Sequence, residues 1–211
     1  MGHHYYHLHV IDTHNNTKIG KDIPVGVCPE AILYVDAYGR IPTPRIYVAD
    51  VMSDAVSVID GNTNTIIKNI TVGRSPVAIG RPVAIGPLNF DLTPRIYVAN
   101  LGGHTVTVID GNTNTIIKNI TVGRSPVAID FDPLNFDLTP RIYVANLGGH
   151  TVTVIGGITN TIIKNITVGG YPRAIGVDMQ RDRIYVPLQL WMLTEMDIEY
   201  MLPIVMIILS L

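Results

Sequence analysis

The 211-residue chain has one cysteine, one tryptophan and three phenylalanines, and only 15% of its residues are charged. A lone thiol, Cys28, excludes an internal disulfide and leaves no second thiol for a redox or zinc motif. It reads as a small buried or half-buried residue. Lys and Arg number 15 against 17 Asp and Glu, a formal charge of −2. That balance provides no basic face for nucleic acid or anionic lipid. Apolar runs are short. "MLPIVMIILSL" at residues 201–211 falls well below the roughly 20 residues that span a bilayer, and Glu195, Asp197 and Glu199 stand just before it. The opening "MGHHYYHLHVID" lacks the apolar stretch of a secretory signal as written. There is no G-x-S-x-G elbow, P-loop or H-E-x-x-H motif, so no catalytic residue, metal site or cofactor is expected.

What the chain does contain is repetition. "VIDGNTNTIIKNITVGRSPVAI" stands at residues 58–79 and again, unchanged, at 108–129. "PLNFDLTPRIYVANLGGHTVTVI" stands at 87–109 and 133–155. The marker "RIYV" begins at Arg45, Arg95, Arg141 and Arg183, steps of 50, 46 and 42 residues. The longer first step reflects a stutter, "PVAIG" at 76–80 and once more at 82–86. Repeats of this length point to a modular fold.

Each unit divides into four short strands rich in Ile, Val and Thr, side chains that suit a pleated surface. In one copy these are "SPVAIG" from Ser75, "RIYVAN" at 95–100, "HTVTVID" at 104–110 and "TIIKNITVG" at 115–123. "NLGG" and "DGNTN" separate them, with the Gly and Asn that tight hairpins favour. On the third strand Val106 and Val108 share one face; Thr105, Thr107 and Ile109 share the other. Neither face is purely polar, so the sheet is expected to be covered on both sides rather than solvated on one. Small twisted sheets stacked face to face satisfy this, and no helical periodicity competes.

At "SPVAID", "RIYVAN", "TVTVID" and "NITVG" the chain resembles the YVTN-type β-propeller repeat, over roughly residues 5–186. The resemblance implies an all-β propeller of four-stranded antiparallel blades. The first strand would line the centre and the fourth the rim. The expected organisation is a propeller over 1–187: a partial blade at 5–25, blades at about 28–73, 74–123 and 124–169, and a partial blade at 170–187. An atypical apolar tail follows at 188–211. The start supplies a third and fourth strand and the end a first and second. The ring therefore either closes through a split blade, for about four blades in all, or stays incomplete. Open blade edges would favour self-association.

In such a fold the fourth-to-first and second-to-third connections share one rim. That places Arg74, Arg124, Tyr171, Arg173, His104 and His150 on one face, a candidate surface for an acidic or sugar-bearing partner, since Arg clamps carboxylates. The alternative is that they are solvated loop residues copied with the repeat. His3, His4, His7, His9 and His14 are dense but have no carboxylate or cysteine at ligand spacing. Asp60 and Asp110 precede "GN" and suit a turn role, as do Asp132 and Asp178 at the ends of inner strands. Asn15, Asn69, Asn119 and Asn165 begin N-x-T sequons, possible glycosylation sites if the protein is exported.

Copied residues are symmetric, whereas catalysis needs a unique constellation. The expected function is therefore a non-catalytic binding or structural module with a protein or glycan partner. The resemblance adds a cell-surface or extracellular setting. Two alternatives stand beside it: a propeller enzyme, either a lactonase-like hydrolase or a cofactor-bearing oxidoreductase, and a non-functional fragment of a longer propeller.

Overall fold

A computed structural model describes residues 6–36, 43–80, 94–132 and 140–189. The stutter copy at 82–86 and residues 190–211 of the apolar tail lie outside these. The described residues contain no α-helix, only two 3-10 turns at Val51–Ser53 and Leu147–Gly149. The chain opens with a hairpin of β1 (His7–Asp12) and β2 (Thr17–Pro24). The first four-stranded sheet follows: β3 (Pro29–Val35), β4 (Arg45–Asp50), β5 (Ala55–Asp60) and β6 (Thr65–Thr71). The second is β7 (Pro76–Gly80), β8 (Arg95–Asn100), β9 (Thr105–Asp110) and β10 (Thr115–Thr121). The third is β11 (Pro126–Asp132), β12 (Arg141–Asn146), β13 (Thr151–Gly156) and β14 (Thr161–Thr167). Last come β15 (Tyr171–Pro172), β16 (Gly176–Asp178), β17 (Arg183–Tyr185) and β18 (Leu188–Gln189), with β15 paired to β18 and β16 to β17. All pairings are antiparallel between strands joined in sequence order, apart from the β15–β18 pair that encloses β16 and β17.

Turn chemistry explains the third-to-fourth connections. The Oδ1 of Asp60 accepts from the amides of Asn62 and Thr63, at 2.9 and 3.0 Å. Asp110 does the same for Asn112 and Thr113, at 2.7 and 3.1 Å. Asn64, Asn114 and Asn160 close these turns with φ of 52–54°, a left-handed conformation that asparagine tolerates. On the outer strands, Lys68, Lys118 and Lys164 stand midway along "TIIKNIT" and are exposed. A charge there discourages edge-to-edge pairing.

Both faces of each whole sheet are used. Ile96, Val98 and Ile109 of the second sheet join Val35, Tyr47, Val56, Val58 and Ile70 of the first. Its opposite face contributes Tyr97, Val106, Val108 and Ile120, packed with Ile142, Val144 and Ile155 of the third. The β1–β2 hairpin covers the first sheet's outer face through Ile23, against Val48 and Ile59. Each fully buried Val or Ile side chain contributes about 1.5–3 kcal/mol.

One polar tie joins successive sheets, and a polar ladder inside each sheet braces the junction at the other rim. In "RIYV" the Arg and Tyr, two residues apart, share a face. Tyr47 Oη donates to Asn114 Oδ1 at 3.1 Å, and Arg45 Nη1 to the Gly111 carbonyl at 2.9 Å. One sheet further on, Tyr97 Oη donates to Asn160 Oδ1 at 2.8 Å and Arg95 Nη1 to the Ile158 carbonyl at 2.7 Å, with Gly157 O also bonded by both. Each sheet thus holds the third-to-fourth turn of the next.

The ladder lies at the opposite rim, within the second sheet. Asn100 Nδ2 donates to Thr105 Oγ1 and Thr107 Oγ1, at 3.0 and 2.8 Å, and Thr107 Oγ1 in turn donates to Asn119 Oδ1 at 2.8 Å. Asn146, Thr151, Thr153 and Asn165 repeat the arrangement. The incoming linker from the preceding sheet presses a glycine on this asparagine. A Cβ on Gly73 would lie 2.6 Å from Asn100 Nδ2 and 2.7 Å from Thr105 Oγ1; one on Gly123 would lie 2.7 Å from Asn146 Nδ2 and Thr151 Oγ1. In the first sheet Asp50 stands in for the asparagine. Ser57 Oγ donates to it at 2.7 Å, and Gly26 faces it.

Among the described residues no split blade closes the ring. Among the described residues β1 pairs only with β2, β17 only with β16 and β18 only with β15. The arrangement is the incomplete ring.

Two outcomes follow from these junctions. Gly73→Ala or Gly123→Ala should each lower unfolding free energy by about 1–3 kcal/mol in urea titrations, the scale of overpacking. Gly176→Ala, whose Cβ meets nothing within 4 Å, should change it little. For Asp50, burial pushes the carboxyl above its ordinary range, only partly offset by the Ser57 hydroxyl and the Gly26 and Ser57 amides. A raised folded-state value means the folded form holds the proton more tightly than the unfolded chain. The ionised group therefore costs stability above that raised value and not below the ordinary one near 3.9. The Tm of Asp50→Asn should exceed the parent's at pH 8, with the gap closing as pH falls below about 4.

Candidate binding rim

The expected rim residues fall along one continuous chain of loop contacts. The linker after β6 lies against the second sheet's β8–β9 turn, where Leu101 donates to Ser75 O at 2.8 Å and Gly102 and Gly103 donate to Arg74 O at 3.0 Å. The linker after β10 meets the next such turn likewise: Leu147 donates to Ser125 O at 2.8 Å and Gly149 to Arg124 O at 3.0 Å. These linkers turn through Ser75 and Ser125 at φ of 54° and 55°, with Cys28 at 57° in the same place one sheet earlier.

Arg74 and Arg124 are exposed. Their stems lie against glycines: Cγ would be 3.1 Å from a Cβ on Gly102 and 3.3 Å from one on Gly148, respectively. Neither guanidinium forms an ion pair among the described residues. The two are held alike, one sheet apart, by identical neighbours. Arg173 is exposed and Tyr171 half-buried at the end of the same belt.

The histidines have a structural use that the sequence did not reveal. His104 sits at φ 55° and its Nδ1 accepts the Ser125 amide at 3.1 Å. In the first sheet Asp54 Oδ1 takes the Ser75 amide at 2.8 Å from the same position. His150 Nδ1 meets the Gly170 carbonyl, and its ring stands edge-on to Tyr171 with centroids 4.8 Å apart. Each therefore fixes the linker leading into the following sheet, leaving the arginines as the outward-facing chemistry.

Other candidates resolve differently. Asp178 Oδ1 accepts from the amides of Gln180 and Arg181 at 3.1 and 3.2 Å, a turn role, and Oδ2 pairs with Arg181 at 3.0 Å. Asp132 is buried at the end of β11. His3 and His4 lie outside the described residues. His9 Nδ1 meets Asp22 Oδ1 at 2.6 Å, and the neighbouring Lys18 ammonium holds the Asp22 carboxyl below its ordinary range. Among the described residues no three His, Cys, Asp or Glu side chains are grouped to hold a metal ion. Cys28 is half-buried with its Sγ 3.2 Å from Met52 Sδ. Asn69, Asn119 and Asn165 are exposed on the outer strands and Asn15 is exposed in the β1–β2 turn. Asn119 and Asn165 offer their carbonyls to the threonine ladders, and Asn15 accepts from Thr17 Oγ1 at 2.6 Å. No described helix is long and apolar enough to cross a membrane.

Missed by sequence reasoning were the roles of Arg45, Arg95, Tyr47 and Tyr97, whose partners lie more than 60 residues away. The available signal was the recurrence of "RIYV" with Arg and Tyr at the same strand phase.

No family model matches the chain, and no curated protein matches it. Solved structures do. Hydrazine synthase of Kuenenia stuttgartiensis superposes with a TM-score of 0.60 at 22% identity, over 77% of this chain and 42% of that one. Dihydro-heme d1 dehydrogenase NirN in complex with DHE gives a TM-score of 0.55 at 15% identity, over 75% of this chain and 32% of that one. BBS1N in complex with ARL6DN gives 0.56 at 16% identity, over 74% of this chain and 48% of that one. The chain spans less than half the length of each. At such identities the likeness is one of fold, and these are β-propeller proteins. The chain accordingly has the all-β propeller fold, built as an incomplete ring of about four blades.

Proposed function

We propose that the chain is a YVTN-type repeat propeller acting as a non-catalytic binding module, with a protein or glycan partner of acidic character engaged at the rim. One observation carries this reading: Arg74 and Arg124 present identical, exposed guanidiniums, each braced on a glycine of the adjoining turn and without an ion pair among the described residues. Two equivalent cations on a rigid rim favour a partner with repeated carboxylates or sulfates, since each fork takes such a group in bidentate fashion. Repetition itself argues for avidity rather than chemistry, because two weak contacts act as one when their spacing is fixed. The YVTN resemblance supports a surface or exported setting, and the exposed sequon asparagines on the outer strands accord with it.

The test is binding to immobilised acidic polysaccharide, with a neutral polysaccharide beside it. Binding should be selective for the acidic polymer and weaken as salt rises. Arg74→Ala with Arg124→Ala should reduce it at least tenfold while Tm stays within a degree or two. Equal binding to both polymers, or an unaffected double variant, would contradict the assignment. A stoichiometric metal ion in the purified protein would contradict the non-catalytic reading.

A further inference from the structure

The first three junctions along the rim share one backbone scaffold but not one set of side chains. At the first, "VGVCPE" at 25–30 meets "VMSD" at 51–54. At the second and third, "VGRSPV" at 72–77 and 122–127 meets "LGGH" at 101–104 and 147–150. The main-chain bonds are alike. Met52 donates to Val27 O at 3.1 Å and Val51 to Cys28 O at 2.9 Å, as Gly102 does to Arg74 O at 3.0 Å and Leu101 to Ser75 O at 2.8 Å. Val27 therefore stands where Arg74 and Arg124 stand, and Met52 where Gly102 and Gly148 stand.

The two exchanges belong together. The Arg74 stem lies where a Cβ on Gly102 would crowd it, at 3.1 Å from Cγ. At the first junction the glycine has become methionine and the arginine valine. Met52 is 71% exposed and Val27 39%, and the half-buried Cys28 touches Met52 Sδ through Sγ at 3.2 Å. A flexible thioether moulds itself to an apolar group laid on it. Glu30, exposed two residues past Cys28, disfavours a carboxylate at this end, where the other junctions carry Val77 and Val127. Single exposed apolar residues are ordinary on a protein surface. These two are neighbours, and they continue the line of Arg74 and Arg124. Along the rim one apolar position is thus followed by two cationic ones.

The geometry points to an extended acidic protein segment as the occupant of this line, with an apolar side chain on Val27 and Met52 and carboxylates on Arg74 and Arg124. The inference rests on the rim reading above and narrows its partner from protein or glycan to protein. A peptide offers one aliphatic side chain and two carboxylates at chosen intervals, whereas an acidic polysaccharide repeats its charged group and has no aliphatic side chain. The interval follows from the stacking. Sheets packed face to face lie about 10 Å apart and an extended chain rises about 3.3 Å per residue, so one junction corresponds to about three residues of ligand. The segment therefore carries an apolar residue with acidic residues about three and six positions away from it. The apolar contact adds affinity without direction, and the two arginine forks set the register.

The test is fluorescence anisotropy of labelled peptides with the full chain. The probes are Leu-Ser-Ser-Glu-Ser-Ser-Glu, the same peptide with Ser for Leu, and one of equal composition with adjacent glutamates, each made in both chain directions and scored on the tighter. The Leu peptide should bind about tenfold more tightly than the Ser peptide, the scale of one buried aliphatic side chain. Met52→Gly, the residue found at the other two junctions, should erase that preference with Tm unchanged. Arg74→Ala with Arg124→Ala should weaken both peptides while the preference persists. Val27→Arg with Met52→Gly should reverse the choice, so that glutamate in place of leucine binds best. Equal binding of the Leu and Ser peptides, equal binding of the adjacent-glutamate peptide, or tighter binding of an acidic oligosaccharide of the same charge would each overturn the peptide assignment while leaving the acidic rim intact. If no acidic probe depends on Arg74 and Arg124, the rim reading itself falls and this inference falls with it.

Discussion

The bond from the "RIYV" tyrosine to the third-to-fourth turn of the next sheet is the constraint on which the rest of the structure depends. Apolar packing alone fixes the orientation of a small sheet against its neighbour only loosely, because apolar contact is not directional. The tyrosine hydroxyl on the turn asparagine is directional. With the arginine beside it on the turn carbonyl, it sets how far one sheet is rotated and displaced against the next. The desolvated arginine and tyrosine demand those partners, since an unmatched buried polar group costs about 1–3 kcal/mol. The turn must in turn offer a left-handed asparagine, which is why "GNTN" or its near equivalent closes it.

The asparagine–threonine ladder at the opposite rim works with this bond. It fills the gap where the linker enters, and the linker can come close only because it carries glycine at that point. Gly73 against Asn100 and Gly123 against Asn146 are the same junction. Asp50 in the first sheet is a departure from it, a buried carboxylate in place of a neutral amide, and burial there makes this junction sensitive to pH.

Much of the fold was legible in the letters. The strands followed from alternating Ile, Val and Thr between Gly- and Asn-rich breaks, and the apolar character of both strand faces anticipated stacked sheets. The turn roles of Asp60 and Asp110 followed from local chemistry. What was not legible depends on contacts between distant residues. His104 and His150 read as free rim groups, yet their ring nitrogens fix the linker into the next sheet. Tyr97 and Asn160 are 63 residues apart. In nearly identical copies, a residue kept for packing and one kept for binding look alike. Only geometry separates Arg74 and Arg124, which face outward, from Arg45, which is buried. The openness of the ring was equally hidden, because closure depends on how far each repeat turns as well as on how many repeats there are.

The most direct test of this account is a double-mutant cycle between sheets, comparing Tyr97→Phe, Asn160→Ala and the pair by equilibrium unfolding. If the tyrosine–turn bond sets the stacking, the two changes should be coupled by about 1 kcal/mol or more, so that the second costs little once the first is made. Additive losses, with coupling near zero, would show that the sheets are positioned by apolar packing alone and would contradict the account.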